Sequence, residues 1–432
     1  MLGEKMGTGA GQSSKVCSGR EPQTQPAPIF RHALRLCGSR RAWTALLAIG
    51  LLFALASPFL WAQFHLRAAR QSLEHRAYAE AQAHLAQYLR FWPDSPTAHV
   101  LAVRCARSGG NFDEAERVLA ACRRLEAEPE GLVLEAYLLD AQRGTLAPAE
   151  AAVLQRRIDE ADPETPRILE ALAQGCLYTN RLGEAMDSLE RWLAYTPGDS
   201  QALYLRGLVW EGMGAVHEAG EDYRQAARRD PGHVEAHKRW SEYLIYAGQY
   251  HEAAGLIGRL REQQPGDVGL QLGLARCRRA LGETAEAEPL LDELIAGGKA
   301  TAPVLVERAR LAREKGDLPG AEKWFRQALA KDPADYDACY GLGQSLRALS
   351  RPQEAGEIEA RAAQLDRDIK QLRQLHEHMA RHPDDLELPY EAGLICLRQG
   401  QKAEARRWFR NVLQGNPSHE GARRGLEQAV QK

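Results

Sequence analysis

From about residue 64 onward, apolar residues recur at steps of three and four, the spacing that gathers them on one face of a helix. Leu203, Leu205 and Trp210 fall on one such segment, and Tyr223 and Ala226 on the next. The segments are short because the chain punctuates them. Gly110, Gly214, Gly248, Gly282, Gly316 and Gly400 stand at matching breaks, with Asn180 in the same slot. Gly and Asn tolerate the left-handed conformation that ends a helix. Pro93, Pro163, Pro197, Pro231, Pro265, Pro333 and Pro417 stand at a second kind of break, since proline cannot continue a helix interior. The pattern predicts an all-α chain of amphipathic helices taken two at a time.

The pairs repeat. Ala81, Ala115, Ala151, Ala185, Ala219, Ala253, Ala287, Ala321, Ala355 and Ala405 lie nearly all 34 residues apart, and nine of the ten follow a Glu. A fixed period of this length marks a repeat array. Twelve residues before the alanine sits another small residue: Ala173, Gly207, Ser241, Ala275, Ala309, Gly343 or Gly393. Two helices approach closely only where both side chains are small. Leu189, Tyr223, Ile257, Leu291, Phe325 and Phe409 then fill the space beside the contact.

The small residue late in the first helix, the Glu-Ala pair, the bulky residue four later and the closing proline make this chain resemble the tetratricopeptide repeat family. "GQYHEAAGLIGRLREQQPGD" and "GDLPGAEKWFRQALAKDPAD" are close to the family pattern. The resemblance implies a right-handed α-α superhelical solenoid of about ten helix pairs over residues 64–417, closed by a capping helix in 418–432. Two units depart from the pattern. One has Leu146 at the glycine slot and Gln155 at the bulky slot; the other has Glu359 at the bulky slot and Arg367 where proline belongs. About 16 residues without Gly or Pro then precede Pro383, and they predict a lengthened helix near 356–381.

Composition changes the picture mainly at the N-terminus. The chain has formal net charge −2, with 46 Arg against 10 Lys. Such balance argues against nucleic acid as a partner. Residues 1–42 hold seven Lys and Arg against two Asp and Glu, and are read as a disordered basic cytoplasmic tail. Nothing from Trp43 to Ala62 is charged. Twenty residues make a helix of about 30 Å, long enough to cross a bilayer, and Trp43 and Trp61 bracket it as interfacial anchors do. Residues 43–63 are therefore expected to be a transmembrane signal anchor in the cytoplasmic membrane, with the N-terminus inside and the repeats in the periplasm. A cleaved signal peptide and a buried helix are the rival readings; Ala54, Leu55 and Ala56 fit a small-residue cleavage site.

Candidate chemistry is sparse. No Walker loop, nucleophile elbow, dinucleotide loop or H-E-x-x-H motif occurs, and no C-x-x-C, so no catalytic, cofactor or metal site is expected. His378 and His382 share a helix face at ligand spacing, without a further ligand placed by sequence to complete a site. Cys105, Cys122, Cys176, Cys277, Cys339 and Cys396 fall at packing slots and are read as buried thiols, with Cys105 and Cys122 the one pair considered for a disulfide.

The resemblance implies a groove lined by the first helix of each pair. It places Arg276, Arg279, Arg310, Arg313 and Arg347 there in successive units, with Tyr204, Lys238, Glu242 and Tyr246 in neighbouring ones. These arginines read either as a solvated face that keeps the groove soluble or as a dock for an acidic or carboxylate-bearing peptide, since arginine pairs carboxylates bidentately; the expected partner is a protein or peptide, with no small-molecule substrate. The expected function is a non-enzymatic, membrane-anchored protein–protein interaction scaffold. An envelope assembly or secretion factor binding a transiting client is the alternative. An accessory repeat region of a glycosyltransferase-type enzyme is a third; it needs a separate α/β domain, and fewer than 20 residues follow the last repeat.

Overall fold

The computed structural model describes residues 40–122, 130–382 and 384–430; the tail expected at 1–42 lies almost wholly outside them, as does Pro383. Among the described residues there are 21 α-helices and no strand. They belong to two compact units, Met1–Gly109 and Gly110–Lys432.

The first unit contains α1 (Arg40–Glu74), α2 (Tyr78–Phe91) and α3 (Pro96–Ser108). Its core joins Ala62, Leu66 and Ala69 of α1 to Ala81, Leu85 and Tyr88 of α2 and Leu101 and Cys105 of α3. Among the described residues no helix is long and apolar enough to cross a membrane. Most of the span expected at 43–63 falls where side chains lie outside the described set. Of those described, Leu51, Phe59, Leu60 and Phe64 are exposed on α1.

The second unit begins with α4 (Phe112–Cys122), α5 (Glu130–Arg143), α6 (Pro148–Asp159), α7 (Thr165–Tyr178), α8 (Leu182–Tyr195), α9 (Ser200–Gly212), α10 (Val216–Arg229), α11 (Val234–Tyr246) and α12 (Tyr250–Gln263). It continues with α13 (Val268–Ala280), α14 (Thr284–Ala296), α15 (Ala302–Glu314), α16 (Leu318–Lys331), α17 (Tyr336–Ala348), α18 (Pro352–Arg381), α19 (Glu387–Arg398), α20 (Lys402–Gly415) and α21 (Glu420–Val430). From α7 to α20 the helices pack as successive antiparallel pairs, each also touching the next pair, which makes this unit a helical solenoid.

Each repeated residue has a physical task. The period alanines are buried, Ala151 alone being half-exposed. Leu189, Tyr223, Ile257, Leu291, Phe325 and Phe409 are all buried beside them. The slot five before the alanine takes positive φ at Gly110, Asn180, Gly214, Gly248, Gly282, Gly316 and Gly400, and Arg76 and Ser350 adopt it too. Fourteen after the alanine stands a helix N-cap. The side chains of Ser95, Asp199, Asp267 and Asp335 accept from a backbone N–H three residues on, and His233 and His419 do the same through Nδ1.

The unit of Ala151 packs differently. Here α5 lies chiefly against α7 rather than its own partner α6. A Cβ on Gly175 of α7 would come 1.9 Å from the Ala141 carbonyl oxygen of α5, so only glycine permits this approach. The residues before Pro383 form one helix: α18 runs 30 residues and buries Leu365, Asp368 and Leu375.

Cys105, Cys122, Cys176, Cys277, Cys339 and Cys396 are free and buried, so the Cys105–Cys122 pair is not bridged. Burial pushes the thiols up, to about 11 for Cys105, Cys176 and Cys277 and to about 12 for Cys396.

Candidate partner-binding face

The candidate residues all come from first helices: Tyr204 on α9, Lys238, Glu242 and Tyr246 on α11, Arg276 and Arg279 on α13, Arg310 and Arg313 on α15, and Arg347 on α17. Stacking of successive pairs brings α13, α15 and α17 into contact one after another.

Three of the arginines surround one glutamate. Glu307 of α15 is fully buried. Arg279 Nε donates to its Oε1, while Arg276 Nε and Arg310 Nη1 each lie 3.6 Å from its Oε2. That Oε2 accepts no hydrogen bond among the described residues. Arg279 also reaches Glu314 at 2.6 Å, and Arg310 reaches Asp337 at 2.9 Å. Burial works against the Arg279 charge, yet Glu307 and Glu314 outweigh it and hold the guanidinium pKa above its ordinary value. Arg313 donates to the neutral amide oxygen of Gln344. Arg347 pairs with Glu359 of α18, Nε to Oε1 at 2.6 Å, the glutamate being the one that replaced a bulky core residue. These arginines therefore alternate with carboxylates, and Arg313 faces an amide instead.

The second cluster is aromatic and ionic. Tyr204 is half-buried, 4.9 Å from the His233 ring and 6.0 Å from that of Tyr223. Burial, then a hydrogen bond from its hydroxyl to Glu211 at 2.7 Å, drives the Tyr223 phenol far up. Arg239 bridges Glu211 at 3.3 Å and Glu242 at 3.2 Å. Glu242 keeps 61% of its side-chain surface, yet the protein around it displaces enough solvent to raise its carboxyl pKa. Lys238 spans Asp267 at 2.7 Å and Glu235 at 3.2 Å. Tyr246, 64% exposed, is the candidate left most open, and Tyr340 of α17 adds a second tyrosine at 49%.

Sequence reasoning placed the arginines and missed their partners, the counter-charges Glu307, Glu314 and Asp337 and the neutral amide of Gln344. A signal was available. Glu307 and Glu314 lie 28 and 35 residues after Arg279, and Asp337 lies 27 after Arg310, near one period in each case. Among the described residues no group of three or more His, Cys, Asp or Glu is arranged to hold a metal ion.

Paired helices whose first members carry the polar and aromatic surface define a helical-repeat protein. Two tetratricopeptide repeat family models match the chain, one over 72–132 and 244–303 and the other over 170–234 and 306–368, together more than half of it. The chain belongs to the tetratricopeptide repeat family, whose repeats generally mediate protein–protein interaction and whose members are typically non-catalytic scaffolds.

A TPR repeat-containing protein of Pseudomonas aeruginosa is 30% identical over 220 residues, 49% of this chain and 34% of that protein. The protein O-mannosyl-transferase TMTC3 of Homo sapiens is 26% identical over 172 residues, 36% of this chain and 17% of the transferase. The chain thus spans about a third or less of these relatives. Among solved structures, PilW, a widely conserved type IV pilus biogenesis factor, is 22% identical with a TM-score of 0.40, covering 45% of this chain and 90% of PilW.

Proposed function

We propose that this protein is a non-enzymatic, membrane-tethered scaffold that holds a protein or peptide partner on the first-helix face of its repeats. The observation that carries the reading is the run from α11 to α17, whose first helices carry an open tyrosine at each end, Tyr246 and Tyr340, and guanidinium groups between. Tyr246 and Tyr340 are large side chains left uncovered, of the type that anchors interfaces. Arg313, with an amide for its partner, is the cation best placed to receive a carboxylate of an acidic segment. The tether rests on the uncharged run 43–62 and its bracketing tryptophans, and on the exposed apolar residues of α1.

Photo-crosslinking in membranes tests the face. A crosslinker at Arg313 or Tyr246 is expected to trap a partner that the same group at Arg224 of α10 does not; capture from Arg224 alone overturns the reading. The Arg313→Gln variant is expected to weaken capture several-fold at unchanged melting temperature. A phosphatase fused after Pro417 should be active, and inactivity overturns export of the repeats.

A further inference from the structure

The last helix pair of the second unit reaches back to its beginning. Glu404, Arg407, Arg410 and Gln414 recur along α20 at steps of three and four, which is one face of a helix. That face meets the ends of α5 and α7, more than two hundred residues earlier. Asn180 Nδ2 donates to Glu404 Oε1 at 3.4 Å, Arg410 Nη1 donates to the Tyr178 hydroxyl at 3.0 Å, and Gln414 Nε2 donates to the Gly144 carbonyl. The Arg407 guanidinium lies 5.9 Å from the centre of the Tyr178 ring. Gly144 takes φ +71°, and a Cβ there would lie 3.0 Å from Gln414 Nε2, so the turn leaves room for that amide.

The seam is of a different nature from the rest of the unit. The large helix contacts join near neighbours along the chain, and each carries a buried apolar core. The cores on the two sides of the seam are separate: one gathers residues between 134 and 209, the other residues between 375 and 429. What joins them is polar; the Arg410 and Gln414 hydrogen bonds are exposed and that of Asn180 is part-buried, and exposed hydrogen bonds exchange for bonds to water at little net gain. Tyr178, 40% exposed, receives two of the four contacts, one on its hydroxyl and one on its ring.

We propose that this seam is a releasable latch: the free second unit closes end to end, and release of Tyr178 from Arg407 and Arg410 opens it. Resting on the first-helix reading above, the latch also sets how a partner enters, threaded while it is closed and from the side once it is open.

The test needs no partner, so its failure is separate from failure of that reading. Spin labels are placed at Gly183→Cys and Ala403→Cys, both exposed and flanking the seam, in the full chain in lipid nanodiscs with Cys17→Ser and Cys37→Ser. The six buried thiols, with raised pKa, resist labelling. Electron–electron distance measurement is expected to give one dominant short distance. Tyr178→Ala should raise the ratio of long to short populations about tenfold, the loss of one hydrogen bond and one cation–π contact. Tyr178→Phe, which keeps the ring, should raise it less. Helix content by circular dichroism should match in all three. A long distance in the parent protein, or a Tyr178→Ala distribution identical to it, overturns the proposal.

Discussion

At the scale of single residues, charge partners decide what a groove arginine is free to do. Glu307 has no solvent exposure and depends on Arg279 for its hydrogen bond. Removing one member of a buried pair leaves the other uncompensated, at a cost of about 3–5 kcal/mol. Arg279→Gln is therefore expected to destabilise the protein by about 3 kcal/mol, at the low end because Arg276 and Arg310 remain near Glu307. The Arg279→Gln/Glu307→Gln double variant should recover part of that loss, and chemical denaturation of the four members of the cycle measures it. Strictly additive losses would show that the pair does not act as one. Arg279 is thus a poor probe of binding and Arg313 a good one, a distinction that the repeat frame alone does not make.

At the scale of helices, two elements break the period and each is held by one residue. Gly175 lets α7 press its backbone on α5. The added methyl of Gly175→Ala would meet the Ala141 carbonyl at 1.9 Å, backbone against backbone. The expected loss is about 3 kcal/mol, the upper part of the overpacking range. Gly183→Ala, with open space around the new methyl, is the control and should be neutral or stabilising by about 0.4–1 kcal/mol.

The long helix α18 is tied to α19 through Asp368. Its carboxylate, almost fully buried, accepts from Arg398 at 2.6 Å, Gln399 at 3.3 Å and Gln364 at 2.9 Å. Burial pushes this carboxyl up, but the three hydrogen bonds overcome it, and the net pKa is below the ordinary aspartate value. A depressed carboxylate contributes stability above its unfolded pKa, about 3.9, and loses it as pH falls through the folded value. Asp368→Asn should cost about 1–2 kcal/mol at pH 7 and flatten the fall in melting temperature between about pH 5 and 3. An acid limb unchanged by the substitution would remove Asp368 from the explanation.

At the scale of the whole molecule, most of the helix pattern was legible because it is local. The alanine, glycine and cap slots each act within one pair, so a 34-residue phase carries them. The positive φ at Arg76 and Ser350 shows the frame holding even where the residue type does not announce it. Two features lay outside that local frame. The counter-charges of the arginines lie one unit away, outside the positions that the groove frame names. The contact of α20 with Tyr178 depends on small rotations accumulated over many pairs, which no single repeat encodes. The exchange of partners between α5, α6 and α7 was half visible, as Leu146 and Gln155 at slots that elsewhere hold glycine and a bulky residue.

The buried thiols carry a consequence for the order of events during synthesis. Cys105 packs among residues 62–105, Cys277 among residues 244–277, Cys339 among residues 329–365 and Cys396 among residues 375–429. None of these four sulfurs waits for a distant part of the chain to cover it. A chain emerging from its N-terminus can hide each thiol within about two repeats of making it, since solenoid pairs form from neighbours alone. The interval in which any two cysteines are bare together is short, and an oxidant has little time to join them. Folding by local steps would thus shelter these thiols as they are made, and the six described cysteines stand unpaired in the finished structure.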